Sequence, residues 1–204
     1  MRTEMLDHHL RVILDPGEYY TSRFPVTIST LLGSCVSACL FDPVHEVIGM
    51  NHFMLSHHRY AKNLPATESE AGRYGVHSME LLINDMLKCG AEKRLIKAKA
   101  FGGSTIIGAD AEHDNFACVG SVNSRFIREF LTYEEIPLVA ESLGGKEGRV
   151  IHFSSGNYTV YMRKIKSNAK TRRIVARDRD CWLHAIVEQE KRRHQRDALE
   201  LWKE

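Results

Sequence analysis

The sequence predicts an α+β fold in which helices cover layers of mixed β-sheet, with a charged helix appended at the C-terminus. Three observations carry this reading. Short segments rich in β-branched and apolar residues, such as VTIST and EVIGMNHFML, are separated by Gly, Pro and Asp turns. Two longer stretches place apolar residues at helical spacing. Strands and helices follow one another in no strict βαβ order, which favours a mixed sheet over a regular parallel one.

Taken in order, RVILD (residues 11–15) reads as a short strand and PGEYYTS (16–22) as a turn. VTIST (26–30) is a strand, broken by LLGS. CVSACLF (35–41) and EVIGMNHFML (46–55) are strands on either side of a DPVH turn. A polar loop carrying Pro65 follows over 56–72. In GVHSMELLINDMLKCGA (75–91), Val76, Met79, Leu82, Ile83, Met86 and Leu87 recur at helical spacing, and Gly90 stops the helix. RLIKAKAFGG (94–103) is a strand ending in a Gly-Gly turn. SVNSRFIREFLTYEEI (121–136) is a helix capped by Asn123 or Ser121. PLVAESLGG is a strand and turn, and GRVIHFSSGNYTVYMRKI (148–165) is a hairpin around SSGN. SNAKTRR (167–173) is a linker, and a charged helix occupies 179–204.

The 204 residues suffice for one domain with a sizeable core and an appendage, here assigned to 1–166 and 167–204. With 43% hydrophobic and 26% charged residues the composition is that of a soluble globular protein. No apolar run approaches the roughly 20 residues that span a bilayer, so membrane insertion is not expected. The N-terminal stretch mixes acids and histidines without a long apolar core, so a cytoplasmic location is expected. Five cysteines, an odd set without CxxC spacing, suggest neither a disulfide framework nor a zinc ribbon. Residues 163–204 carry 13 Lys and Arg against 7 Asp and Glu, whereas the preceding 162 residues are mildly acidic. The basic tail interleaves its charges with acids and offers no nucleic-acid motif; a solvated helix that docks a partner is the expectation.

The chemistry concentrates in STLLGSCVSACLFDPVHEVIGMNHFML (29–55). If its two strands form an antiparallel hairpin around 42–45, Phe41 faces Glu46, and the same register sets Cys35 opposite His52. Directly opposed side chains on one face lie close enough for a thiol and an imidazole to meet. A slip of one residue would place them on opposite faces. An imidazole beside a thiol can take its proton and return it to a leaving group. The Gly33–Ser34 turn ahead of Cys35 offers backbone N–H groups to an oxyanion. A hydroxyl to orient the histidine is at hand in Ser29 or Thr30. These are the parts of a cysteine hydrolase acting on an acyl group. Each residue alone has a plainer reading, since a strand cysteine is most often a buried small hydrophobe and a histidine beside Phe-Met-Leu a satisfied core residue. Both readings stand on the residues alone. Cys39, opposite Ile48 in that register, has no base and is read as core. His57 and His58 with His52 lack metal-ligand spacing, and FGGS and LGGKEGR lack the Lys-Ser ending of a phosphate loop. Neither a metal nor an organic cofactor is expected.

TLLGSCVSACLFDP followed by GMNHFML resembles the CheD family, the chemoreceptor glutamine deamidases of bacterial chemotaxis. The likeness continues in PGEYY, RYGVHSMELLINDMLKCGA, KAFGGS, the Asn123 segment and LGGKEGR, over roughly residues 10–165. The resemblance implies an α+β fold like that of bacterial toxin deamidases, and hydrolysis of receptor glutamine side chains to glutamate. It also implies a Cys-His-Thr triad: Cys35 as nucleophile, His52 as base and Thr30 as orienting hydroxyl, with Ser29 in reserve. Some members carry the threonine six residues before the cysteine, whereas Thr30 stands five before Cys35 and Ser29 six. Ser56 and Ser104 stand where the family often has proline and alanine. Implied partners are chemoreceptor cytoplasmic helices as substrate and a CheC-type phosphatase. The alternative is a non-catalytic adaptor that binds receptors or that phosphatase. The tail beyond about 167 has no counterpart in the family pattern.

Overall fold

The computed structural model describes residues 1–6, 9–55, 70–105, 119–165, 173–174, 176–184, 186–188 and 191. It is α+β, with two mixed five-stranded sheets stacked face to face and two long helices on the outer face of the second. The strands are β1 (Arg2–Leu6), β2 (His9–Leu14), β3 (Tyr19–Ser22), β4 (Val26–Leu32), β5 (Val36–Asp42), β6 (Val47–Asn51), β7 (Lys97–Gly102), β8 (Leu138–Leu143), β9 (Gly148–Ser154) and β10 (Val160–Ile165). The helices are α1 (Glu70–Lys88) and α2 (Val119–Tyr133), with a 3₁₀ turn at Lys93–Leu95. The first sheet runs β1-β2-β4-β9-β10 and the second β3-β6-β5-β7-β8. One parallel pair stands in each, β2 with β4 and β7 with β8. No helix among the described residues is long and apolar enough to cross a membrane.

Strand alternation divides the interior into two layers. From β5, Val36, Ala38 and Leu40 face α1 and α2, where they pack with Met79, Leu82, Met86, Phe126 and Phe130. Cys35, Cys39 and Phe41 point the other way and meet Val12, Leu14, Ile28, Leu32, Ile151 and Phe153 of the first sheet. Every residue of β5 is buried, and apart from Ser37 and Asp42 its sequence is accordingly small and apolar rather than alternating with polar residues. Cys39 sits in the inter-sheet layer as a core residue.

Several elements differ from the sequence expectation. Arg2–Leu6 forms a strand, although its Arg-Thr-Glu-Met pattern carries no alternation; it is an edge strand paired only with β2. Tyr19–Ser22, read as a turn, is the edge strand beside β6. Helix α1 begins at Glu70, inside the stretch read as loop. Gly72 and Gly75 weaken the helical pattern, yet Gly75 is the residue over which Phe126 and Leu55 close: a Cβ there would lie 2.6–2.7 Å from their side chains. At the other end α1 stops before Gly90 as expected, at a φ of 101°. Leu87, counted in the apolar stripe, is 37% exposed.

Of the charged helix expected over 179–204, the described residues reach only 191. Residues 173–174, 176–184 and 186–188 are helical. This C-terminal helix packs on its own chain: Ile174, Asp178 and Trp182 are all buried, and Trp182 joins the inter-sheet layer. Burying Ile174 contributes about 1.5–3 kcal/mol toward holding the helix against the body.

Candidate active site

Cys35 follows the Gly33–Ser34 turn at the entry to β5, and its neighbour Val36 makes a two-bond antiparallel bridge to Phe53 (3.0 and 2.9 Å). The hairpin register corrects the expectation. Phe41 faces Ile48 rather than Glu46, and Cys39 faces Met50 rather than Ile48. Asp42 is the reason. It pairs with Val47 inside the ladder, and its Oδ1 accepts from the backbone N–H groups of Val44 (2.9 Å) and His45 (3.1 Å). The turn therefore occupies 43–46, with Glu46 in the left-handed region at a φ of 55°. The slip amounts to two residues and so preserves the face of every side chain. Cys35 and His52 point into the same inter-sheet layer as diagonal neighbours, which in a regular ladder lie about 7–8 Å apart.

The backbone of His52 is held from the loop after β2. Its N–H donates to the Glu18 carbonyl (2.9 Å), and its carbonyl accepts from Gly17 N–H (2.7 Å). This is the structural work of the PGEYY segment. The imidazole is held from the opposite sheet: Thr30, on the inward face of β4, lies 2.7 Å from His52 Nδ1. The Thr30 hydroxyl donates its single proton to the Leu14 carbonyl at 2.8 Å, so towards His52 it accepts. The proton therefore sits on Nδ1 and the lone pair on Nε2, and Nε2 has no hydrogen-bond partner among the described residues. Ser29, the alternative hydroxyl, faces outward, where it meets His152 Nδ1 (2.8 Å) and Arg11 Nε (3.0 Å). One residue of strand alternation separates the two hydroxyls and decides which of them reaches His52.

The turn before Cys35 is braced from three sides. Gly103 N–H donates to the Cys35 carbonyl (2.7 Å) and Ser104 N–H to the Gly33 carbonyl (2.8 Å), so the FGGS segment serves as a turn, as its lack of a phosphate-loop ending implied. Gly102 has a φ of 113° and lies so close that a Cβ would stand 2.1 Å from the Cys35 carbonyl oxygen. Asn123 is not the cap that its sequence position suggested. It lies within α2, fully buried, and its amide donates to the Ser34 carbonyl (2.8 Å) while its oxygen accepts from Leu55 N–H (2.9 Å). It thereby ties the two flanks of the Cys35/His52 hairpin to one helix. Arg149, from LGGKEGR, donates to Ser104 Oγ at 2.8 Å and to the Gly144 carbonyl, joining the two glycine turns.

The C-terminal helix closes the site. Asp178 Oδ2 accepts from the Ser34 backbone N–H (2.9 Å) and the Ser34 hydroxyl (3.1 Å). Arg177 donates to the Leu31 carbonyl (2.9 Å) and to Asp178 Oδ1 (2.8 Å). Cys35 and His52 are both 0% exposed. Burial raises the Cys35 thiol well above its ordinary range, and the Asp178 carboxylate pushes it further up, with Arg177 opposing. Burial and then the Arg177 guanidinium lower His52 to about 3, with Leu14 opposing. Closed in this way, the pair is a neutral thiol and a neutral imidazole.

Thr30, Cys35 and His52 are thus brought into one layer, and Ser29 is excluded from it. His57, His58 and Cys118 lie outside the described residues. Sequence reasoning missed the clamp by Asn123 and the lid residues Arg177 and Asp178. Asn123 has a signal, a carboxamide on the same helical face as Val119, Phe126, Ile127 and Phe130. Asp178 has none, because only the chain's return to the Ser34 turn gives it a partner.

A family model described as CheD chemotactic sensory transduction matches residues 54–164. The matched span begins just after His52, so Thr30, Cys35 and His52 lie outside it. Among curated relatives, the Probable chemoreceptor glutamine deamidase CheD 1 of Geobacter sulfurreducens is 47% identical over 202 residues, covering 99% of this chain and 98% of that protein, so the tail beyond 167, expected to have no counterpart, has one in this relative. The Probable chemoreceptor glutamine deamidase CheD 2 of Shewanella oneidensis is 46% identical over 151 residues, 74% of each chain. The Probable chemoreceptor glutamine deamidase CheD of Sinorhizobium medicae is 44% identical over 164 residues, 79% of this chain and 84% of that one.

Proposed function

The chain belongs to the CheD family, and from that premise we propose that it is a cysteine-dependent protein-glutamine deamidase acting on chemoreceptor cytoplasmic helices in the cytoplasm. Residues 1–166 are the deamidase domain, of the kind seen in bacterial toxin deamidases, and 167–204 an extension carrying the charged helix. Cys35 is the nucleophile, His52 the base and Thr30 the hydroxyl that fixes the imidazole. A CheC-type phosphatase is its second protein partner.

One observation supports this above the others. The Thr30–His52 hydrogen bond crosses from one sheet to the other and leaves the Nε2 lone pair of a neutral imidazole, in the layer that Cys35 enters, without a partner among the described residues. A packed core gains nothing from a buried nitrogen without a partner, whose desolvation costs about 1–3 kcal/mol. A general base needs such a lone pair.

The steps follow from those positions. Nε2 takes the Cys35 proton as sulfur attacks the carboxamide carbon of a receptor glutamine. The tetrahedral oxyanion is met by backbone N–H groups of the turn, of which Ser34 N–H already holds a carboxylate oxygen. Collapse breaks the C–N bond; His52 returns the proton and ammonia leaves, with a thioester remaining on Cys35. His52 then deprotonates water, water attacks the thioester, and sulfur leaves as the glutamate carboxylate forms.

The test is intact mass and ammonia release from a purified receptor cytoplasmic fragment, incubated with this protein or its Cys35→Ala form. A gain of about 1 Da for each modified glutamine, matched by ammonia and absent with Cys35→Ala, is the expected result. No gain with any receptor, from wild type or from a form whose C-terminal helix is loosened by Asp178→Ala, sinks the enzymatic reading and leaves the adaptor.

A further inference from the structure

The C-terminal helix does more than add a packed element. Its Asp178 carboxylate occupies the Ser34 N–H and hydroxyl at the nucleophile turn, and that is where the reaction above puts the side-chain oxygens of substrate and product. Asp178 is 1% exposed, and Cys35 and His52 are 0% exposed, so no receptor side chain reaches the sulfur while the helix is in place. Arg177 closes the adjacent edge by bonding the Leu31 carbonyl. Trp182, with Cys181 and Ile186 beside it, packs on the same inter-sheet layer that contains Cys35. An acidic side chain on a helix, seated at this turn, matches the product of deamidation, a glutamate on a helix.

We propose that the helical residues 173–174, 176–184 and 186–188 are a tethered stand-in for the receptor helix, seated on the receptor-docking surface with Asp178 in the place of the modified side chain, so that the enzyme is held closed until they leave. This rests on Cys35 being the nucleophile of a deamidase. It identifies the docking surface as the one now covered by Ile174, Arg177, Asp178 and Trp182. It also specifies the partner: a helix that presents a carboxamide next to an apolar contact large enough to replace Trp182. The electrostatics agree on balance: the helix's Asp178 raises the thiol more than its Arg177 lowers it, and Arg177 discourages protonation of the imidazole. Withdrawal of the helix removes both charges and part of the burial, moving the two groups toward a thiolate–imidazolium pair.

The experiment uses the full chain and does not require activity. Wild type, Asp178→Asn, Asp178→Ala and Trp182→Ala are treated with iodoacetamide, and alkylation of each cysteine is followed by peptide mass. Cys39 is the internal reference, because it lies in the same layer, fully buried, without a contact to the helix in its electrostatic surroundings. The Cys35-to-Cys39 rate ratio is expected to rise about tenfold or more in Asp178→Ala, the order given by a lost charge-assisted hydrogen bond, at least as much in Trp182→Ala, which loses the aromatic packing that seats the helix, and less in Asp178→Asn. A ratio unchanged from wild type in all three variants overturns the proposal, and taking the ratio keeps general unfolding from imitating opening. Receptor deamidation by the same samples is read separately. A raised labelling ratio with faster deamidation supports the stand-in; a raised ratio with no deamidation by any form overturns the substrate half of the proposal and the deamidase reading, leaving only a lid over a thiol.

Discussion

Replacing Thr30 by valine tests the centre of the site, because it removes one hydroxyl and almost no volume. Two buried partners lose their bond, the Leu14 carbonyl at 2.8 Å and His52 Nδ1–H at 2.7 Å. A buried group left unsatisfied costs about 1–3 kcal/mol. His52 Nδ1–H turning to the Leu14 carbonyl would recover part of that, so the expected loss of folding stability is about 2–4 kcal/mol, read from urea unfolding at constant m-value. The imidazole then loses its fixed tautomer and orientation. At about 1.4 kcal/mol per tenfold, loss of one such bond predicts a fall of about 10- to 100-fold in kcat for receptor deamidation, with KM little changed. Thr30→Ser keeps the hydroxyl and should retain most of both quantities. Ser29→Ala, which alters only the outward contact with His152 and Arg11, should keep full activity. A Thr30→Val protein as stable and as active as wild type would refute the assignment, and so would a Ser29→Ala protein as impaired as Thr30→Val.

Three further predictions follow from the frame around the site. Asn123→Ala removes both bonds of the clamp between Ser34 and Leu55 and should cost about 2–4 kcal/mol in urea unfolding, with a larger fall in activity than Phe130→Leu, which touches only the helix-side core. Gly102→Ala places a methyl group against the Cys35 carbonyl at a φ of 113° and should destabilise by about 2 kcal/mol or more, whereas alanine at Gly144, where a Cβ meets nothing within 4 Å, should cost only its backbone strain. The pH profile of stability should carry the signature of His52. Its folded value is lowered to about 3, below the roughly 6.5 of an unfolded histidine. The unfolded chain therefore binds the extra proton between those values, and the contribution, complete above about 6.5, is lost as pH falls toward 3. Between those limits wild type should lose about 1.4 kcal/mol per pH unit more than His52→Gln does; equal slopes in urea titrations at pH 4.5 and 6.0 would contradict a buried neutral imidazole.

How far the sequence reached can be judged from particular residues. The β-branched content of VTIST and helical spacing from Val76 to Met86 placed β4 and most of α1, because those signals report a chain packed against a core. Arg2–Leu6 and Tyr19–Ser22 escaped, because an edge strand is stabilised by the partner it happens to border rather than by its own pattern. That Cys35 and His52 share a face was legible as a matter of parity. Two strands joined by a tight turn put odd and even residues on fixed faces, and a two-residue slip in register left that parity intact. The register itself was not legible, since it was decided by Asp42 drawing two backbone N–H groups of the turn onto its carboxylate. The choice of Thr30 over Ser29 needed the inward face of β4, which only the stacking of the two sheets defines. The roles of Asn123, Gly102 and Asp178 were invisible for a common reason: each acts on the Cys35 turn from 67 or more residues away, and a contact between distant segments leaves no period in the chain. Local pattern determined which faces are buried and which chemistry they carry; the tertiary structure alone decided which buried groups meet, and that a carboxylate from the far end of the chain sits where the substrate is proposed to bind.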